Sequence, residues 1–280
     1  MAAEPQRNAD QIEFWNGEGG GRWVDEADRL ERMLVPFTDL VMEAVGPLQG
    51  ARALDVGCGA GALSLAAAAA GATVTGVDVS QPLLGLARDR AAAAGAAAQF
   101  FVADASSWSA DAPVDAVISR FGVMFFDAPI EAFANLRAQA KPGARLAFVC
   151  WRAFSQNDWV RKPLEVVRPF LKEIPPKPEP HAPGPFAFAD ADHLRGVLEG
   201  AGWREVEITP QDGTLILPAQ GAKDAAAFAV RMGPGGALVR EQNLDVEPIV
   251  EALAKAFEPD VNDEGAVVSH AATWVVRAVA

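Results

Sequence analysis

The sequence predicts a doubly wound α/β fold: a mostly parallel sheet with helices on both faces. Between residues 51 and 150, short apolar runs alternate with helical patterns, and the connections between runs are too long for hairpins. The first run also ends in a glycine-rich turn that opens a helix. Right-handed crossovers then wind the sheet both ways and put ligands at the carboxyl ends of its strands.

Residues 1–50 read as helices and loops. Trp15-Asn16-Gly17 leads into Gly19-Gly20-Gly21, expected as a flexible turn. From 26 to 45, Leu30, Met33, Leu34, Phe37, Leu40, Val41 and Val45 recur at helical spacing, and Pro36 is expected to divide the stretch into two helices. Strands follow over 51–56, 73–77, 99–103, 114–119 and 145–150. The intervening helices span 61–70, 82–94 with Ser80 as N-cap, and 130–140 stopped by a Lys141-Pro142-Gly143 turn. Beyond Trp151 prolines crowd the chain, which predicts a helix over 159–172 and then a stiff loop through Pro175, Pro176, Pro178, Pro180, Pro183 and Pro185. Helices at 190–201, 223–232 and 246–257 and strands at 204–208, 214–217 and 272–278 complete one embellished domain. Its parts are an N-terminal helical cap (1–50), a binding core (51–150), a proline-rich cap insertion (151–189) and the remainder of the same α/β unit (190–280).

Half the residues are apolar, enough for a large core, and 22% are charged, too ordinary a share for disorder. Lys and Arg total 24 against 37 Asp and Glu, a net charge of −13 that would repel a polyanion, so a small-molecule partner is expected and nucleic acid is not. Cys58 and Cys150 lack metal spacing and read as reduced thiols, which predicts a cytoplasmic protein with no metal. The polar start predicts no signal peptide. The uncharged stretch 56–77 is built of Ala, Gly, Ser and Thr and reads as strand, turn and helix, not as a membrane span. A monomer or homodimer is expected.

The chemistry starts at Asp55-Val56-Gly57-Cys58-Gly59-Ala60-Gly61. Glycines at alternate positions let backbone approach a ligand, yet Gly57-x-Gly59-x-x-Ala62 also fits a dinucleotide fingerprint. Asp78, 21 residues after Gly57, closes the second strand, where a carboxylate accepts both hydroxyls of a ribose and repels a 2′-phosphate. Asp104 follows the third strand. Each acid alone reads equally well as a solvated strand end; three at one sheet edge make a site.

On these residues, and on Lys141-Pro142-Gly143-Ala144, the chain resembles the class I S-adenosylmethionine-dependent methyltransferases over roughly residues 50–150, Ala144 replacing the usual second Gly. The resemblance implies a Rossmann-like seven-stranded sheet of order 3-2-1-4-5-7-6, with 272–278 antiparallel. It implies S-adenosylmethionine as cofactor, with Asp55 opening the first-strand motif and the backbone of Gly57, Cys58 and Gly59 facing the methionine part. Asp78 would hold the ribose, Val79 flank the adenine, Asp104 and the Ala105 amide meet the adenine edge, and Ser119-Arg120 stand near the methionine and substrate. Trp15-Asn16-Gly17, Trp23 and the run from Gly122 to Asp127 look like a bacterial small-molecule subgroup.

A sulfonium methyl is already electrophilic, so positioning carries most of the expected catalysis, and a base is needed only for an acceptor protonated at neutral pH. His181, in the proline-rich loop, is the favoured base among three histidines that read equally as surface residues. Arg120 is expected either to orient an anionic substrate or to form an ordinary salt bridge. Phe125, Trp151, Trp159 and Phe186 would wall an apolar substrate unless they simply pack the core. Trp15 and Trp23 would form a lid or a helix staple. The expected activity is O-methylation of a small, fairly apolar carboxylic acid or phenol. A nicotinamide-dependent oxidoreductase shares the glycine turn and Asp78 but leaves Asp104 unexplained, and a binding module without turnover is a third reading.

Overall fold

The computed structural model describes residues 8–177, 179–217 and 219–280. The opening residues 1–7 of the expected cap and Pro178 of the proline-rich run lie outside them. Three helices, α1 (Ala9–Asn16), α2 (Glu18–Asp25) and α3 (Ala27–Val45), precede β1 (Arg52–Val56). The alternation then runs α4 (Ala62–Ala69), β2 (Thr73–Asp78), α5 (Gln81–Ala94), β3 (Ala98–Val102), β4 (Val114–Arg120), α6 (Pro129–Ala138) and β5 (Ala140–Trp151). After α7 (Asp158–Val167) and α8 (Ala191–Gly200) comes β6 (Arg204–Leu217). Helices α9 (Ala222–Met232), α10 (Pro234–Glu241) and α11 (Val246–Phe257) separate it from β7 (Val267–Val279).

The seven strands lie in the order β3-β2-β1-β4-β5-β7-β6. The first five are parallel, and β7 runs antiparallel to both β5 and β6. The central strands read as continuous apolar runs because helices cover both faces; Leu54, Val117, Ile118 and Phe148 are fully buried. Each such side chain contributes about 1.5–3 kcal/mol over an exposed one. The winding reverses between β1 and β4, which opens a crevice at the carboxyl ends of those strands.

Several local expectations needed correction. Gly19, Gly20 and Gly21 lie inside α2, not in a flexible turn. A Cβ on Gly20 would sit 1.9 Å from the Trp15 carbonyl oxygen and one on Gly19 2.6 Å from the Phe14 ring, so absent side chains let α2 press onto α1. Pro36 does not break α3. It is exposed, while Leu34, Phe37, Val41 and Val45 bury the opposite stripe; that burial offsets the roughly 3 kcal/mol a mid-helix proline costs. Lys141-Pro142-Gly143 is a bulge inside β5, where pairing shifts from Val114–Ala140 to Ala116–Arg145. The two strands expected over 204–217 are one, β6, whose Pro210 is tolerated because β6 is a sheet edge. The helix expected over 159–172 ends at Val167 and passes into a 3₁₀ turn at Arg168–Phe170. Helix α10, in a Gly-Pro-Gly-Gly setting that reads as loop, went unpredicted; a Cβ on Gly236 would lie 1.7 Å from the Val230 carbonyl oxygen. Among the described residues, no helix is long and apolar enough to cross a membrane.

Candidate active site

The glycine turn forms because β1 and β4 converge. Gly57 (φ 65°) touches the backbone of Gly122: a Cβ on Gly57 would fall 2.6 Å from the Gly122 Cα. Ser119 fastens this junction from below, its hydroxyl donating to the Val56 carbonyl at 2.7 Å and accepting from the Gly122 amide at 3.1 Å. Ser119 is fully buried and does not line the cavity, so its part is to position the turn, not to touch a ligand as expected. Gly59 (φ 52°) has no atom within 4 Å of where a Cβ would stand, and its amide donates to Asp78 Oδ2 at 2.8 Å. The Cys58 thiol packs with Leu84, Ala87 and Phe100, and burial pushes its pKa well up, so it stays a neutral thiol.

The three acids gather around this turn and all line one cavity. Asp55 is buried; Oδ2 accepts from the Ser64 hydroxyl at 2.6 Å, and Oδ1 has no hydrogen-bond partner among the described residues. Burial pushes its pKa up to about 7, against the Ser64 hydrogen bond and the attraction of Arg120. Asp78 accepts from the Gly59 and Ser80 amides, at 2.8 Å each; burial raises its pKa and the amides restrain the rise. Asp104 accepts from the Ser106 amide through Oδ1 and from the Asn8 side-chain amide through Oδ2, both at 2.8 Å.

Asn8 is the residue that sequence reasoning missed. Its backbone is left-handed (φ 54°), its amide donates to Asp127 Oδ2 at 2.8 Å, and its side-chain oxygen accepts from the Asp127 amide at 2.9 Å. Both partner carboxylates lie about a hundred residues away in the chain, so no local pattern signals this latch.

The Trp15-Asn16 pair docks α1 onto the β2–α5 loop. The Ser80 hydroxyl donates to the Trp15 carbonyl at 2.8 Å. Asn16 donates to the Val79 carbonyl at 2.8 Å and accepts from the Gln81 amide at 3.0 Å, which supplies one of the free amides at the start of α5 with a partner. The Trp15 ring meets Trp23 edge-on at 5.5 Å and Phe125 at 5.7 Å, and all three line the cavity. Phe121, left-handed at φ 63°, stacks on Trp151 at 4.2 Å, and Trp159 lies beyond at 4.8 Å.

The cavity, about 450 Å³, runs from the acids past these rings to Leu215, Phe228 and Met232. Val79, Ala105, Arg120, Phe125, Trp151 and Trp159 line it. Arg120, however, is already paired: it donates to Glu31 at 2.9 Å and to the Thr38 hydroxyl at 2.8 Å. The structure does not bring two other expected residues to the cavity. Phe186 lies behind Trp159, 6.4 Å between ring centres. His181 is exposed and stacked on His193 at 3.7 Å, outside the lining, so it reaches no reacting atom. Among the described residues no histidine lines the cavity, and no cluster of His, Cys, Asp and Glu is arranged to hold a metal ion.

Residues 53–143, from β1 through the bulge of β5, match the family model of the methyltransferase domain. The stretch that is similar to a methyltransferase domain takes in the glycine turn and all three acids. An uncharacterized protein of Mycobacterium tuberculosis is 29% identical to it over 71% of this chain and 70% of its own. Among solved structures, phosphoethanolamine N-methyltransferase 2 of Haemonchus contortus is similar, with a TM-score of 0.56 at 15% identity over 95% of this chain and 58% of that one. Magnesium protoporphyrin IX methyltransferase of Synechocystis gives a TM-score of 0.52 at 22% identity over 74% of this chain and 92% of its own. At these identities the two structures bear on the fold alone.

Proposed function

We propose that this methyltransferase moves the methyl group of S-adenosylmethionine to an oxygen, carboxylate or phenolate, of a small and fairly apolar metabolite. The observation that carries this reading is one cavity in which acids at one end give way to Met33, Trp159, Phe228 and Met232 at the other.

The donor end fits the cofactor. Asp78 and Asp104 stand at the carboxyl ends of adjacent strands, Gly59 leaves the turn open, and Asp55 presents a buried oxygen without a partner among the described residues. In this reading Asp78 accepts from the ribose, Asp104 from the adenine amino group, and Asp55 faces the cationic methionine end. The Gly57–Gly59 backbone approaches where a side chain would obstruct it. When bound, the cofactor supplies an electrophilic sulfonium methyl, so the protein's task is to align the acceptor oxygen; such positioning is worth roughly 7–11 kcal/mol. Helices α1–α3 and the 151–189 segment act as caps that keep water out, with Trp15 and Trp23 over the donor end.

The acidic net charge of −13 supports a small acceptor over nucleic acid. The absence of a lining histidine among the described residues suits a carboxylate acceptor, which is already ionised at neutral pH and needs no base. Incubation with radiolabelled S-adenosylmethionine and a panel of aliphatic acids, phenols and amines tests this. Labelled methyl esters or ethers are expected; label confined to amines would contradict the oxygen assignment.

A further inference from the structure

We propose that the methyl acceptor carries a carboxylate remote from the oxygen that is methylated, and that Arg22 and Arg240 bind it. This deepens the methyltransferase reading above and rests on it. Arg22 on α2 and Arg240 on α10 both line the cavity, on helices that the sequence disguises as glycine-rich loops. Gly19, Arg22 and Trp23 form the cavity-facing stripe of α2, and Pro234, Ala237 and Arg240 form that of α10, at the three- and four-residue spacing of one helix face. Helix α10 belongs to the excursion between β6 and β7, at the opposite end of the sheet order from Asp78 and Asp104.

Among the described residues neither guanidinium has a buried carboxylate partner. Arg22 pairs there with Glu18, at 3.3 Å, and Glu18 is 91% exposed, so that pair is worth little. Arg240 donates to the Val230 and Arg231 carbonyls, at 3.1 Å each, and has no carboxylate partner among the described residues. Partial desolvation, then the nearby charge of Arg22, holds the Arg240 guanidinium below its ordinary pKa, and Glu18 and Glu241 oppose that effect. Arg240 is exposed and Arg22 half-buried, so water reaches both guanidiniums, and a carboxylate entering the cavity beside them meets two forks that match its geometry. Arg120 does not compete, being held by Glu31 and Thr38. With Glu18 and Glu241 close by, the site suits one negative charge better than the two of a phosphate monoester. The intervening wall of Trp23, Met33, Phe228, Met232 and Pro234 calls for an apolar spacer.

A calorimetric titration of the S-adenosylhomocysteine-loaded protein with ω-(4-hydroxyphenyl)alkanoic acids of graded length, their primary amides and the matching phosphate monoesters tests this. Some chain length of the acid is expected to bind at least about tenfold more tightly than its amide. Arg22→Gln and Arg240→Gln should each erase most of that preference while amide binding holds. Acids that bind no better than amides, a preference that survives both substitutions, or phosphates that outbind the acids would overturn the assignment. Absence of S-adenosylhomocysteine binding overturns the methyltransferase reading, and this inference with it. Its presence without acid preference overturns the carboxylate site alone.

Discussion

At the scale of single residues, one short carboxylate does two jobs at the donor end. Asp78 holds the Gly59 and Ser80 amides, at 2.8 Å each, and so shapes the turn as well as offering lone pairs to a ligand. Asp78→Ala removes charge-assisted hydrogen bonds worth about 1.5–3 kcal/mol each, and S-adenosylmethionine affinity should fall by about tenfold to a hundredfold. Unchanged affinity by calorimetry would remove the ribose assignment. Asp55 makes a different prediction, because its pKa rises from 3.8 to about 7 on folding. The folded state holds this proton more tightly than the unfolded chain. Its stabilising contribution is therefore complete below about pH 4 and lost as pH rises through about 7. In urea denaturation between about pH 5 and pH 8, wild-type stability should decline and Asp55→Asn should decline less. Equal slopes would mean that Asp55 is already ionised in the folded protein. The acids were legible because strand ends and glycines mark their places; Asn8 was not, because its partners Asp104 and Asp127 come from distant loops.

At the scale of elements, sequence reasoning failed where glycine was read as flexibility. In α2 and α10 glycine marks close contact between backbones, a tertiary fact that composition does not carry. Two neighbouring glycines separate these meanings. A methyl on Gly20 would strike the Trp15 carbonyl at 1.9 Å, whereas one on Gly21 would meet nothing within 4 Å. Gly20→Ala should cost about 1–3 kcal/mol and loosen α1 from the β2–α5 loop. Gly21→Ala should gain about 0.5–1 kcal/mol from helix propensity. Thermal unfolding and limited proteolysis check both; similar effects from the two variants would mean that α2 does not sit against Trp15. Pro36 misleads for a related reason, and Pro210 within β6 follows the same rule. A proline's missing donor matters little on an exposed helix face or at a sheet edge, and burial of the opposite stripe of α3 settles the outcome.

At the scale of the whole molecule, the alternation of apolar runs and helices was enough to read the doubly wound sheet, since parallel strands need long crossovers and buried faces. The crevice between β1 and β4 follows from that order, and with it the donor end of the site. The acceptor end was much less legible. It is assembled from α2, α3, α7, α9 and α10, which touch across more than two hundred residues of chain, and patterning within each helix does not say which faces meet around Met33, Phe228 and Met232. His181 shows the same limit, since its place in a proline-rich loop suggested an overhang that its stacking on His193 denies. The most direct test is calorimetric titration of the purified protein with S-adenosylmethionine, S-adenosylhomocysteine and NAD in parallel. The crevice with Asp78 and Asp104 predicts saturable one-to-one binding of the first two and none of NAD; binding of NAD alone would contradict it.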